Sequence, residues 1–88
     1  MKNKKAPIRR KRVRAMYLYE NIKKARQAQN LRQQDVAEKL NLMQQQYARY
    51  ETGKREIPLH HLIKLAELYN LSLDYLTGLT DEPKPLRK

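Results

Sequence analysis

Five helix-stop signals constrain this chain more than any other feature of its sequence. Asn30-Leu31, Asn41-Leu42, Gly53, Asn70-Leu71 and Gly78-Leu79 each close a stretch with helical patterning. Asn and Gly are the residues that best tolerate the left-handed backbone at a helix C-terminus. At four of the five stops a leucine follows, placed to fold back over the last turn. The stops divide the chain into helical segments near 16–29, 33–40, 44–51, 59–69 and 72–77. In the first, Leu18, Ile22, Ala25, Ala28 and Gln29 recur at spacings of three and four, the period of one helix face. Pro58 marks the entry to the fourth. Ser72 suits the N-cap of the fifth, with Asp74 in its first turn. Five short helices with tight links predict an all-α globule over residues 16–80. A flexible basic arm (1–15) precedes it and a tail (81–88) with Pro83 and Pro85 follows.

The 88 residues allow one small domain with a core only marginally sufficient to fold. Without cysteine, neither a disulfide nor a Cys-ligated zinc can add stability. No run approaches the length of a membrane span, and the basic N-terminus lacks the apolar stretch of a signal peptide. The expected setting is therefore cytoplasmic and nucleoid-associated, with no membrane partner. The net charge is +11, and its placement says more than its size. Residues 1–16 carry eight basic side chains and no acid, including Arg9, Arg10, Lys11, Arg12 and Arg14. Residues 83–88 add Lys84, Arg87 and Lys88, while residues 17–82 balance nine basic against nine acidic groups. A neutral domain flanked by cationic arms suits a polyanion, although plain solvation produces such runs too. Fourteen extended residues at about 3.3 Å each reach roughly 45 Å, well past the edge of the domain.

The second and third segments, joined by Asn41-Leu42-Met43, have the spacing of a helix-turn-helix. Val36, Ala37 and Leu40 form the apolar stripe of the first, and small Ala37 permits close approach. In the second, Met43, Tyr47, Tyr50 and Glu51 are expected to face the domain, leaving Gln44, Gln45, Ala48 and Arg49 outward. Gln can meet adenine N6 and N7 together, and Arg can meet guanine O6 and N7 as a fork. Gln45 and Arg49 stand four apart on one face, and the start of a recognition helix reaches deepest into the major groove. On the helix alone, ordinary solvent exposure explains the same residues equally well.

The stretches Leu31–Leu42 (LRQQDVAEKLNL), Gln44–Pro58 (QQQYARYETGKREIP) and Leu65–Leu76 (LAELYNLSLDYL) resemble the Cro/repressor-type, XRE-like (lambda-repressor-like) helix-turn-helix family. The Tyr50-Glu51-x-Gly53-Lys54 element followed by Pro58 is the specific part of that resemblance. It implies a five-helix DNA-binding domain in which Gln44, Gln45 and Arg49 read bases. Gln33, at the start of the second helix, would hold a backbone phosphate, and Lys54 and Arg55 would meet others. Arg26 and Glu51 resemble the family's buried ion pair between the first and third helices; losing one partner of such a pair costs about 3–5 kcal/mol. Three positions depart from the family pattern. Arg32 and Met43 stand where Ser or Thr normally cap the two motif helices, at a cost of about 1 kcal/mol per cap. Arg32 would add a charge contact to phosphate in exchange. Tyr47 replaces an aliphatic core residue, so its hydroxyl must reach the surface or find a partner, and contact with the DNA backbone is the expected one.

Other chemistry finds no support. Adjacent His60 and His61 point about 100° apart on a helix and chelate poorly, so no metal is expected. There is no glycine-rich phosphate loop, no thiol and no ordered nucleophile set, so neither catalysis nor a cofactor is expected, and no small-molecule ligand is evident. The resemblance implies sequence-specific binding of double-stranded DNA by a transcriptional regulator, a repressor, acting as a homodimer on a near-palindromic operator. Two recognition helices would then sit about 34 Å apart. Leu73, Leu76, Leu79 and Leu86 are the expected dimer surface. The alternative is a protein-bridging coactivator or an antitoxin-type module in which DNA binding is secondary.

Overall fold

The computed structural model describes residues 17–87, and among them it contains five α-helices and no strand. They are α1 (Glu20–Ala28), α2 (Gln33–Lys39), α3 (Gln44–Glu51), α4 (Leu59–Tyr69) and α5 (Leu73–Thr77). The basic arm, with Arg9, Arg10, Lys11, Arg12 and Arg14, lies outside the described residues.

Asn30, Asn41 and Asn70 have φ of 58°, 59° and 52°, and Gly53 and Gly78 have φ of 81° and 85°. The residue after each donates its N–H to the carbonyl five positions back. The bonds are Leu31 to Arg26, Leu42 to Ala37, Lys54 to Arg49, Leu71 to Ala66 and Leu79 to Asp74, at 2.8–3.2 Å. This six-to-one closure satisfies carbonyls that the helix end leaves free, and only a left-handed residue turns the chain sharply enough to make it. Leu31, Leu42 and Leu71 then pack on the core. Leu79 does not: it is 80% exposed, so the fourth leucine seals nothing.

The first helix starts at Glu20, four residues later than its apolar spacing suggests. Tyr19 is its N-cap with φ −117° and ψ 90°, and Tyr17 and Leu18 before it are not helical. Leu18 shares the helical spacing but is pulled elsewhere, its backbone lying against Gly53 in the loop after α3. Periodicity registers apolar residues at the right intervals; it does not register a close backbone contact 35 positions away.

Packing places α2 against α3, α1 against both α3 and α5, and α4 against α5. The core is Ile22 and Ala25 from α1, Val36, Ala37 and Leu40 around α2, Tyr47 from α3, Ile57, then Leu62, Leu65, Ala66 and Tyr69 from α4 and Leu76 from α5. Leucine and isoleucine side chains buried this completely stabilise by about 1.5–3 kcal/mol each. Asn21, also buried, donates from Nδ2 to the Tyr75 carbonyl at 2.7 Å and ties α1 to α5. Beyond α5 the chain returns along the α4–α5 link. The Ser72 N–H donates to the Lys84 carbonyl at 2.9 Å, and the Leu86 N–H to that of Asn70 at 3.2 Å. The Asn70 side chain accepts from the Arg87 N–H at 3.0 Å.

The two glycines separate conformational strain from crowding. At Gly78 an added Cβ meets nothing within 4 Å, so Gly78→Ala adds only the left-handed backbone strain, about 1–2 kcal/mol. At Gly53 the same Cβ would stand 2.9 Å from the Leu18 backbone nitrogen, so the chain entering α1 has to move. Denaturant unfolding is expected to show a clearly larger loss for Gly53→Ala; equal losses would mean that Leu18 is not held against the loop.

Candidate nucleic-acid interface

A buried cluster positions the face of α3. Glu51, in the last turn of α3, is 4% exposed and accepts four hydrogen bonds. Arg26 of α1 donates from Nε to Oε2 at 2.6 Å and from Nη2 to Oε1 at 3.1 Å. The Tyr47 hydroxyl donates to Oε2 at 2.6 Å, and Gln33 Nε2, from the first residue of α2, donates to Oε1 at 3.1 Å. Arg26 uses its remaining arm, Nη1, on the Leu31 carbonyl at 2.8 Å, which also fastens the end of α1. Burial pushes the Glu51 carboxyl up, but the hydrogen bonds from Arg26, Tyr47 and Gln33 outweigh it and hold it below its ordinary 4.5. Burial, followed by the bond to Glu51, pushes the Tyr47 hydroxyl far up, so it stays a donor. The Tyr69 hydroxyl is buried without a hydrogen-bond partner, and burial with the nearby Glu51 charge pushes it up to about 12.

This cluster corrects one expected contact. Tyr47 has no exposed surface, so it cannot touch a DNA phosphate; its hydroxyl faces inward, one turn from Glu51. The spacing was informative, since residues four apart on a helix meet, but the acceptor lies inside the protein. Met43, expected to face the domain, is 66% exposed at the N-cap of α3.

Gln44, Gln45, Gln46 and Arg49 are exposed and Ala48 is half-buried, so α3 presents amides and one guanidinium to solvent. In the following turn Lys54 and Arg55 are exposed as well. Among the described residues, none of Arg49, Lys54 and Arg55 forms a salt bridge, which leaves their charge available to an incoming anion. Gln46, Arg49, Tyr50 and Arg55 line a small cleft of about 150 Å³ on this side. Gln33 sits half-buried, its amide nitrogen held by Glu51. Arg32 is exposed, but its guanidinium pairs with Asp35 at 2.9 Å, so part of its charge is already answered locally. That bond also holds the Asp35 carboxyl below its usual range.

The two missing caps are partly compensated from inside each helix. Asp35 Oδ2 accepts from the Arg32 N–H at 2.8 Å, and Gln46 Oε1 accepts from the Met43 N–H at 3.1 Å. These are the returning halves of a capping box, made by the third residue of each helix. Arg and Met have no side-chain oxygen to complete the other half. The expected dimer surface also shrinks. Leu76 is fully buried and Leu73 packs on the core, because α5 needs them to dock on α1 and α4; Leu79 and Leu86 remain at the surface.

A family model described as Helix-turn-helix matches residues 22–76, from the core isoleucine of α1 to the core leucine of α5. The chain belongs to the Cro/repressor-type helix-turn-helix family. Among proteins of this kind, it is 38% identical over 66 residues to the uncharacterized HTH-type transcriptional regulator YobD of Bacillus subtilis (strain 168), covering 75% of this chain and 59% of YobD. It is 39% identical over 69 residues to the HTH-type transcriptional regulator ImmR of the same organism, covering 78% of this chain and 54% of ImmR. A crystal structure of a transcriptional regulator from Listeria innocua superposes with a TM-score of 0.66 at 30% identity, covering 75% of this chain and 62% of that one. The chain thus spans 54–62% of the length of these three proteins.

Within the helix-turn-helix unit, the Tyr47–Glu51 bond has a pH signature. Because the folded carboxyl titrates below 4.5, the stability it contributes is fully present above that pH. It drains as the pH falls through the lower, folded value. Tyr47→Phe removes one donor to the carboxylate and is expected to cost about 1.5–3 kcal/mol at pH 7. That deficit should narrow on acidification below 4.5, as Glu51 becomes protonated in both proteins. Urea unfolding across pH 3–7 reads both effects, and a deficit that stays constant with pH would show that the bond to the charged form is not what stabilises the fold.

Proposed function

We propose that this domain binds double-stranded DNA sequence-specifically and regulates transcription, most simply as a repressor, by laying α3 in the major groove. The observation that carries the reading is the outer face of α3: Gln44, Gln45 and Arg49 exposed beside Lys54 and Arg55, on a helix fixed from behind by Glu51. A helix aimed by a buried ion pair keeps its side chains in one register against the base edges. Bidentate readout requires that rigidity. Lys54 and Arg55 would hold phosphates flanking the groove, with Gln33 on the other side of α3 and Arg32 in a secondary place. The family relationship and the likeness to transcriptional regulators support the same reading.

The basic residues before position 17 would add sequence-independent affinity through counterion release. A second copy is expected to complete the binding unit, since one such domain buries little DNA surface. Of the four leucines expected there, Leu79 and Leu86 remain exposed as candidates for that contact.

Gln45→Ala and Arg49→Ala are each expected to weaken binding to a preferred duplex by about 1–3 kcal/mol, while binding to unrelated duplex holds. Fluorescence anisotropy on both duplexes checks this. An equal fall on the two would remove these residues from base reading.

A further inference from the structure

A cleft of about 580 Å³ separates α1 from the α2–α3 unit. Lys23, Lys24 and Gln27 of α1 line one side, and Gln33 and Thr52 line the other. Gln33, proposed above as a phosphate contact, therefore shares this cleft with the α1 lysines. At its floor Glu51 is neutralised by Arg26 at 2.6 Å, which leaves Glu20, toward the Leu18 end, as the only other acid lining it. Lys23 and Lys24 are both exposed, and among the described residues neither forms a salt bridge. Arg32, one residue before Gln33, has its charge already paired with Asp35 by contrast. The unpaired positive charge on this flank therefore comes from α1, not from the motif helices.

We infer that this cleft is a second contact for the DNA backbone, with Lys23 and Lys24 meeting phosphates that lie beyond the one held near Gln33. The inference rests on the DNA-binding reading above and extends its footprint onto α1. Charge complementarity selects the occupant. Two unpaired ammonium groups with the exposed Gln27 amide beside them suit a strand of phosphodiesters, and an apolar or basic peptide segment would leave them unpartnered. Because ammonium groups act on phosphate as point charges, the contact adds affinity without sequence preference.

The test compares two double variants of the full chain with equal loss of charge. K23Q/K24Q empties the cleft of its cations. K39Q/K64Q removes the same charge from a separate groove beside Leu40 and Leu68, and all four lysines are exposed, so both proteins should fold as wild type by circular dichroism. Affinity for a preferred duplex and for an unrelated duplex is measured across a salt series. K23Q/K24Q is expected to lower the log–log salt slope by about 1.8 on both duplexes, at about 0.9 for each phosphate contact. K39Q/K64Q should leave the slope at the wild-type value, and the preferred sequence should be the same for all three proteins. An unchanged slope in K23Q/K24Q, or an equal change in the two variants, overturns the inference and leaves the α3 reading intact. A wild-type protein that binds neither duplex overturns the reading beneath it.

Discussion

Glu51 is the point on which the structure depends, because one buried carboxylate gathers side chains from three helices. Removing a carboxylate from water costs several kcal/mol, and a single partner seldom offsets it. Here both oxygens are filled: Oε1 by Arg26 and Gln33, Oε2 by Arg26 and Tyr47. The donors come from α1, from the first residue of α2 and from one turn back in α3. Any relative movement of these helices breaks a charge-assisted bond inside the protein. The cluster therefore trades stability for a defined geometry, and that geometry aims Gln45 and Arg49. Gln33 stands with one end in the cluster and the other at the edge of the interface.

Charge is partitioned in a way that follows from this design. The domain between residues 17 and 82 is formally neutral, so its fold does not have to withstand strong self-repulsion. Acids are used inward or locally: Glu51 on Arg26, Asp35 on Arg32, Glu67 with Arg87 at 4.0 Å. The cations left unpaired include Lys23, Lys24, Arg49, Lys54 and Arg55, which lie on α1, α3 and the turn after it. Under the proposed function, a phosphate backbone following this surface would meet them. Net charge alone would not have distinguished this arrangement from a uniformly sticky surface.

Much of the architecture was legible in the sequence because it is written in local chemistry. The left-handed residues at 30, 41, 53, 70 and 78 stop helices for reasons internal to a few neighbouring residues, and the turn between α2 and α3 follows from one of them, Asn41. The Arg26–Glu51 pair and the outward face of α3 were readable from the family motif and the helical period. What escaped depended on contacts distant in sequence. The start of α1 is set by the loop at Gly53, not by the spacing of Leu18 and Ile22. The Tyr47 hydroxyl was expected at the surface or on a partner, with the DNA backbone foremost, but its inward direction is decided by where α1 and α2 place Arg26 and Gln33. Leu76 looks like a surface leucine on a short helix until α1 and α4 close over it. The cleft lysines carried only a weak signal, the spacing of Lys23 and Lys24 relative to Gln27 on one helix.

The central claim is that a rigidly held α3 reads DNA sequence. Selection from a pool of random duplexes by the purified chain at moderate salt, followed by sequencing of the bound fraction, measures this most directly. The expected result is an enriched motif, repeated as two inverted half-sites about one helical turn apart. Recovery of sequences indistinguishable from the starting pool, despite measurable binding, would contradict it.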